Sequence, residues 1–329
     1  MSDLAAPAVY VPLDRPVYEV APGLKPLGFN FGNGEADARV LQIDQDFLRY
    51  RDEKERARAD ALTKYVGFDR LEPEVLRGAV DKILELMSTN HPEVFSLETS
   101  GSVRRLHCRL TGETLEIDPA GQLVGHSGVA PVPPYLNAYD ALMHQLQEDG
   151  AIVSVREGHD RLSGLHVCLP SHWDPRSKLG RDFTAVHLPV PGADRMSRAH
   201  KGIVEAMVYK GPFVRFVWSF VTDKRLNHHP EPPRGEDVAT WKGRSFDDSD
   251  PTRSPFHLRV ERQTIVGLPG PAASLFFIRI SFVDGKTIRE NPVWRANLVG
   301  ALKSMSPESR VYKGVEPCFD RLIGWLEAP

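Results

Sequence analysis

Residues 169–192 read LPSHWDPRSKLGRDFTAVHLPVPG, which sets two histidines, a tryptophan, a lysine and four prolines into one short stretch. Pro170, Pro175, Pro189 and Pro191 each fix a backbone dihedral and remove an amide donor, so the path of the segment is stiff from end to end. His187 stands out because FTAVH reads as a short strand that runs directly into the stiffening LPVPG. Among the twelve histidines, His172 in the same loop, His257 and the His228/His229 pair compete with it. A lone histidine is more often a satisfied core or surface group than a ligand. Adjacent histidines in a proline-rich loop with no third ligand nearby are a weak metal signal. Trp173, Trp218 and Trp241 are of a type that caps a pocket, though buried tryptophan is more often core.

Arginine supplies the second candidate chemistry. In FHLRVERQTI the two-residue period puts Arg262 on the row of Phe256, Leu258, Val260 and Thr264. In FVRFVWSFV, Arg215 shares a face with Phe213, Val217 and Val221, and in SLFFIRISF, Arg279 lies with Leu275 and Phe277. A guanidinium cannot shed its charge, so one placed on an apolar row must find an anion. Carboxylates of the chain such as Glu261, Asp174 or Asp223 are one source. A bound carboxylate-bearing ligand gripped by the guanidinium fork is the other.

The elements that must position these residues read as follows. The first forty residues, rich in proline and glycine, form an irregular arm. Residues 44–65 make a highly charged helix with Phe47, Tyr50, Ala57, Ala61 and Tyr65 to bury, its charge run expected on a solvated face. A helix opens at Pro73 with Leu76, Val80, Ile83, Leu84 and Met87 at helical spacing. VRRLHCRL and TLEID form a strand pair, and 134–148 a helix. AIVSVRE and SGLHVCLP return to strand texture, a modest helix spans 197–208, and long strands follow at 213–222, 256–266 and 273–283. The polar, proline-rich excursion 227–255 is too long for a simple turn and reads as a functional or partner-facing loop. Helices from Pro292 and over 316–326 close the chain. The class is α+β around an antiparallel sheet, with a helical N-terminal region (1–95), a sheet core (about 100–285) and C-terminal helices (286–329) in one domain spanning 1–329.

Composition narrows the function. Basic residues number 41 against 44 acidic, a net charge of -3, which gives no support to nucleic-acid binding or a polybasic membrane anchor. No apolar run approaches the roughly 20 residues of a spanning helix, and the N-terminus lacks the pattern of a signal peptide, so a cytoplasmic location is expected. The three cysteines, Cys108, Cys168 and Cys318, show no CxxC spacing. That argues against zinc, iron–sulfur and covalently attached haem sites. Neither GxGxxG after a strand nor GxxxxGK[ST] is present, so no flavin or nicotinamide is expected on this chain.

The loop LPSHWDPRSKLGRDFTAVHLPVPG resembles the PSxWxPxxKxG…IHxPVPG segment of the haem-dependent oxidative N-demethylase family, which includes the catalytic subunit of dimethylamine monooxygenases. GLKPLGFN with IDQDFLRYRDEK, QEDGAIV, FVRFVWSF, HLRVERQTIVGLP and VYKG at 311–314 resemble further elements of that family in the same order, over nearly the full length. The resemblance implies a PAS-like antiparallel sheet enlarged by helices. It also implies b-type haem, dioxygen activation, and removal of a methyl group from a methylated amine as formaldehyde. On this reading His187 is the proximal iron ligand. Arg215, Arg262 and Lys178 fall on positions suited to propionates or substrate, and Glu261 is placed to hold a substrate ammonium. Arg279 and Trp218 count with the cofactor-binding set. The electrons must come from a reductase partner, for which the loop 227–255 is one docking place. Two positions depart from the family pattern: Val217 stands where an asparagine is usual and Gly267 where an arginine is. The departures leave open an O-demethylase or hydroxylase acting on a less polar substrate. A haem-based sensor and a haem-free binding protein are the other readings.

Overall fold

Five long strands form the frame on which the rest of the chain is arranged. In the computed structural model, which describes residues 4–242, 245–250 and 252–328, they are β1 (Asp149–Arg156), β2 (His159–His166), β3 (Phe213–Val221), β4 (His257–Leu268) and β5 (Ala273–Asp284). They lie in the order 2-1-5-4-3, each antiparallel to its neighbours. The short strands Val66–Phe68 beside β2 and Lys25–Pro26 beside β3 complete a seven-stranded sheet. The β-branched and aromatic content of FVRFVWSFV and SLFFIRISF suits a pleated surface packed on both sides. The turn at Pro269–Ala272 sets the β4–β5 register, in which Arg262 faces Arg279 and Glu261 faces Ile280.

The chain is thus a mixture of helices and antiparallel sheet, with one departure from the expected layout. Residues 95–127 do not join the main sheet. They form a separate four-stranded meander of Phe95–Ser100, Val103–Cys108, Thr114–Ile117 and Leu123–Ser127. Its outer strands, FSLETS and LVGHS, are short and polar, which hid them from periodicity.

The first helix, Phe47–Tyr65, overturns a second expectation. Its charges are not all solvated: Arg51, Lys54 and Arg58 are buried. Arg58 reaches Asp140 at 2.5 Å and the carbonyls of Pro133 and Pro134. Arg51 pairs with Glu113 at 2.5 Å, and Lys54 donates to the carbonyls of Met143 and Glu148. Spaced three and four apart, these cations form one stripe that docks on Ala138–His144 and the root of β1. Among the described residues no helix is long and apolar enough to cross a membrane.

The two faces of the main sheet are covered by different material. On one, Leu258 and Val260 join Phe256 in a core with the helices Pro292–Ser304 and Phe319–Glu327. Further along, Val266, Leu275 and Phe277 pack with the helix Pro73–Asn90. Over the other face lies the helix His200–Tyr209, and it approaches β4 at Gly267 so closely that a Cβ there would sit 2.3 Å from Val208 O. Gly267 is therefore required by backbone contact. Gly267→Ala is expected to cost about 1–3 kcal/mol, because neither backbone can give way freely. A denaturation midpoint unchanged from the parent protein would contradict this.

Candidate functional site

The strand period divides the candidate residues between the two faces. Arg262 and Arg279, directly opposed on β4 and β5, both point to the helix-covered face. There Arg279 meets Asp44 at 2.6 Å and lies over the Tyr50 ring, while Arg262 donates to the carbonyls of Arg39 and Val40. The segment entering the first helix thus supplies an anion, Asp44, to Arg279 and neutral carbonyls to Arg262. Trp218 faces Val260 across the β3–β4 register and packs in the same core, touching Tyr18 edge-on, and it also lines the cavity that holds His187. The structure does not group Arg262 and Arg279 with His187.

On the opposite face a cavity of about 1390 Å³ is enclosed by the sheet, the N-terminal arm, the loop 169–192, the helix His200–Tyr209 and the segment 311–321. His187, Lys178, Arg215 and Glu261 all line it. Its volume exceeds the roughly 300–1,000 Å³ of common small-molecule sites, so it has room for a large planar group and a second, smaller molecule. Much of the floor is apolar, with Val217, Ile265, Phe276 and Ile278 from three strands.

The loop is anchored at its start by buried charges. Asp149, at the foot of β1, accepts the amides of Cys168 (2.9 Å) and Leu169 (2.8 Å). Burial raises its pKa to about 6. Arg259 donates to Leu169 O at 2.6 Å and to Ser171 Oγ at 2.7 Å, and burial lowers its pKa only to about 10, so it stays charged. His172 then adopts a left-handed backbone, φ 63°, with its ring 4.7 Å from that of His228. Burial depresses its pKa to about 3, which keeps the imidazole neutral.

His187 ends a helical turn, Phe183–His187, and not the strand that FTAVH suggested. The signal was Asp182, whose side chain accepts the Ala185 amide at 2.7 Å as an N-cap. His187 Nδ1 lies 2.8 Å from Phe183 O. A carbonyl only accepts, so Nδ1 carries the proton and Nε2 keeps its lone pair, the arrangement in which histidine binds metals. Burial lowers its pKa, and the charges of Arg215 and Lys178 add to the effect. Lys178 donates to Val186 O at 2.7 Å and ties this turn to the loop; burial lowers its pKa as well.

Across the sheet, Glu261 is braced on both oxygens. Ser171 Oγ donates to Oε1 at 2.5 Å and Gln263 Nε2 to Oε2 at 2.8 Å. Arg215 stands opposite Gln263 and diagonal to Glu261. Among the described residues no carboxylate lies within ion-pair distance of its guanidinium, and its buried Nε has no partner. Burial lowers its pKa, with Glu261 opposing the effect. Lys313 completes the group. Its ammonium donates to Trp218 O at 2.5 Å among the rings of Tyr18 and Trp218, and burial brings its pKa down to about 8.

Of these, Lys313, Arg259 and Gln263 did not emerge from the sequence. Arg259 and Gln263 were accessible, since the two-residue period places them with Glu261 on the row opposite Arg262. Lys313 lies within VYKG, which the resemblance marked as an element without giving this residue a role, and it is carried in from the C-terminal segment. The remaining histidines lie elsewhere: His257 sits near Asp284, His228 bonds Asp223, and His229 is near Asp174.

The site therefore offers a neutral imidazole with an available Nε2, a braced carboxylate, and cations close to both. These parts suit an iron-bearing macrocycle on His187, with Lys178 near its anionic edge and Glu261 facing a cationic substrate. A family model described as haem-dependent oxidative N-demethylase, alpha subunit-like, matches residues 34–323 of the chain.

Proposed function

The chain belongs to the haem-dependent oxidative N-demethylase, alpha subunit-like family, and from that premise we propose that it is a catalytic haem chain that removes a methyl group from an amine. The observation that carries the reading is His187: an imidazole with Nδ1 committed to its own helix and Nε2 left available, in a cavity that also holds a braced carboxylate. The 2-1-5-4-3 strand order supports a PAS-like sheet as the scaffold.

Haem b, when bound, would supply dioxygen activation. The chain's own residues supply the rest. His187 would hold the iron, its basicity raised by the Nδ1–H bond to Phe183 O. Glu261, kept in place by Ser171 and Gln263, would grip the substrate ammonium and set the N-methyl group toward the cavity interior. The apolar floor limits water around the reacting group. The overall balance is one methylated amine, one dioxygen, two electrons and two protons giving the shorter amine, formaldehyde and water. The electrons would come from a separate reductase. The polar excursion 227–255, of which residues 243, 244 and 251 lie outside the described residues, remains a docking proposal.

Val217 faces the cavity directly opposite Glu261, so the amide usual at that position in the family is absent. Gln263, one diagonal away, supplies an amide to the same carboxylate. The polar character of the Glu261 end is thereby retained, which favours an amine over an uncharged O-methyl substrate.

Haem-loaded protein given oxygen, an N-methylated amine and an added electron donor is expected to release about one formaldehyde, with the shorter amine, for every two electrons consumed. Oxygen binding without formaldehyde from any N-methylated compound would favour the sensor reading.

A further inference from the structure

The charges around Glu261 do not cancel. Arg215 and Lys313 are buried against the same part of the cavity, and both feel the Glu261 carboxylate. Yet Glu261 is already engaged by Ser171 and Gln263, and neither cation forms an ion pair among the described residues. Desolvated cations without a counter-charge are costly, and a site that retains them is built for an anion. Arg215 and Glu261 occupy diagonal positions on neighbouring strands, which sets their backbones about 7–8 Å apart on one face. Two opposite charges held side by side, each turned to the cavity and away from bonding the other, match a molecule that carries both signs.

We infer that the substrate is a small N-methylated amino acid, its ammonium on Glu261 and its carboxylate on Arg215 and Lys313. The inference rests on the demethylase reading and narrows it from amines in general to zwitterions. A separation of one to a few carbons between nitrogen and carboxylate suits the diagonal. Lys178, beside His187, remains for the haem propionates. A simple methylamine would satisfy Glu261 but would leave both cations unpaired and repelling it.

The test uses three probes of one shape family on the haem-loaded protein, with equilibrium binding followed by calorimetry and by the shift of the haem spectrum. N,N-dimethylglycine carries both charges, dimethylamine lacks the carboxylate, and 3-methylbutanoate replaces nitrogen with carbon. Dimethylglycine is expected to bind at least ~10-fold more tightly than either of the others, the factor being set by loss of one charge-assisted contact. In Arg215→Gln its affinity should fall by roughly 10–100-fold while that for dimethylamine holds or rises, since a repelling cation has gone. Lys313→Gln should move both in the same directions and serves where Arg215→Gln fails to fold. Equal affinity of the wild-type protein for dimethylamine and dimethylglycine overturns the inference and leaves N-demethylation standing. So does a variant that loses haem while keeping the same preference between the two, because the cations would then serve the propionates alone. Haem retained with no affinity for any of the three probes sinks both readings.

Discussion

His187→Ala, purified from haem-supplemented cells, is expected to lack a stoichiometric Soret band and to bind added hemin more than ~100-fold more weakly than the parent, because loss of a metal ligand exceeds the 10–100-fold typical of its supporting partners. The fold should survive. His187 contributes one hydrogen bond, to Phe183 O in its own helical turn, which is worth about 1 kcal/mol. Imidazole added to the variant should restore a band, since the space left by the side chain opens on the cavity. An unchanged spectrum would transfer the role to His172, the other neutral imidazole lining the cavity.

That His187 could be singled out from the chain at all follows from its neighbours: the prolines on either side fix the path, and a fixed path is visible in a sequence. The arginines show the opposite case. The two-residue period correctly separated the row of Arg262 from that of Glu261. It could not say which row meets a core and which meets a cavity, because both faces of this sheet are covered. The answer came from Asp44, Arg39 and Val40, more than two hundred residues away from the strands they satisfy. The first helix was misread for the same reason. Arg51 and Arg58 look like surface charges until Glu113 and Asp140 are brought to them. Pairing across such separations leaves no local pattern, whereas the helix from Pro73 and the strands β3 to β5 carry theirs within a few residues. The turn at FTAVH failed on a narrower point: its Phe, Thr and Val favour a strand, but the cap at Asp182 outweighs them.

Glu261→Gln is expected to lower kcat/KM for the methylated amine by about 10²–10⁴-fold, corresponding to the roughly 2–5 kcal/mol lost when one partner of a buried charge pair is neutralised. Haem content should be unchanged, because Glu261 bonds Ser171 and Gln263 and not the turn that carries His187. The substitution keeps size and shape, so an effect on KM and kcat together reports lost grip on the ammonium and not a disturbed pocket. Near-normal turnover in Glu261→Gln would show that the amine is held elsewhere and would remove the carboxylate from the site.

The walls of the cavity come from residues as early as Tyr10 and as late as Arg321. Closing it therefore requires contacts between the two ends of the chain, the entropically slowest kind to form. During vectorial synthesis the long sheet strands emerge before the C-terminal segment, and the chamber is still open when residue 284 leaves the ribosome; only the segment carrying Lys313 finishes it. Cofactor loading would then wait for that segment. A nascent protein stalled before that segment should expose an open, apolar floor to chaperones instead of a binding site.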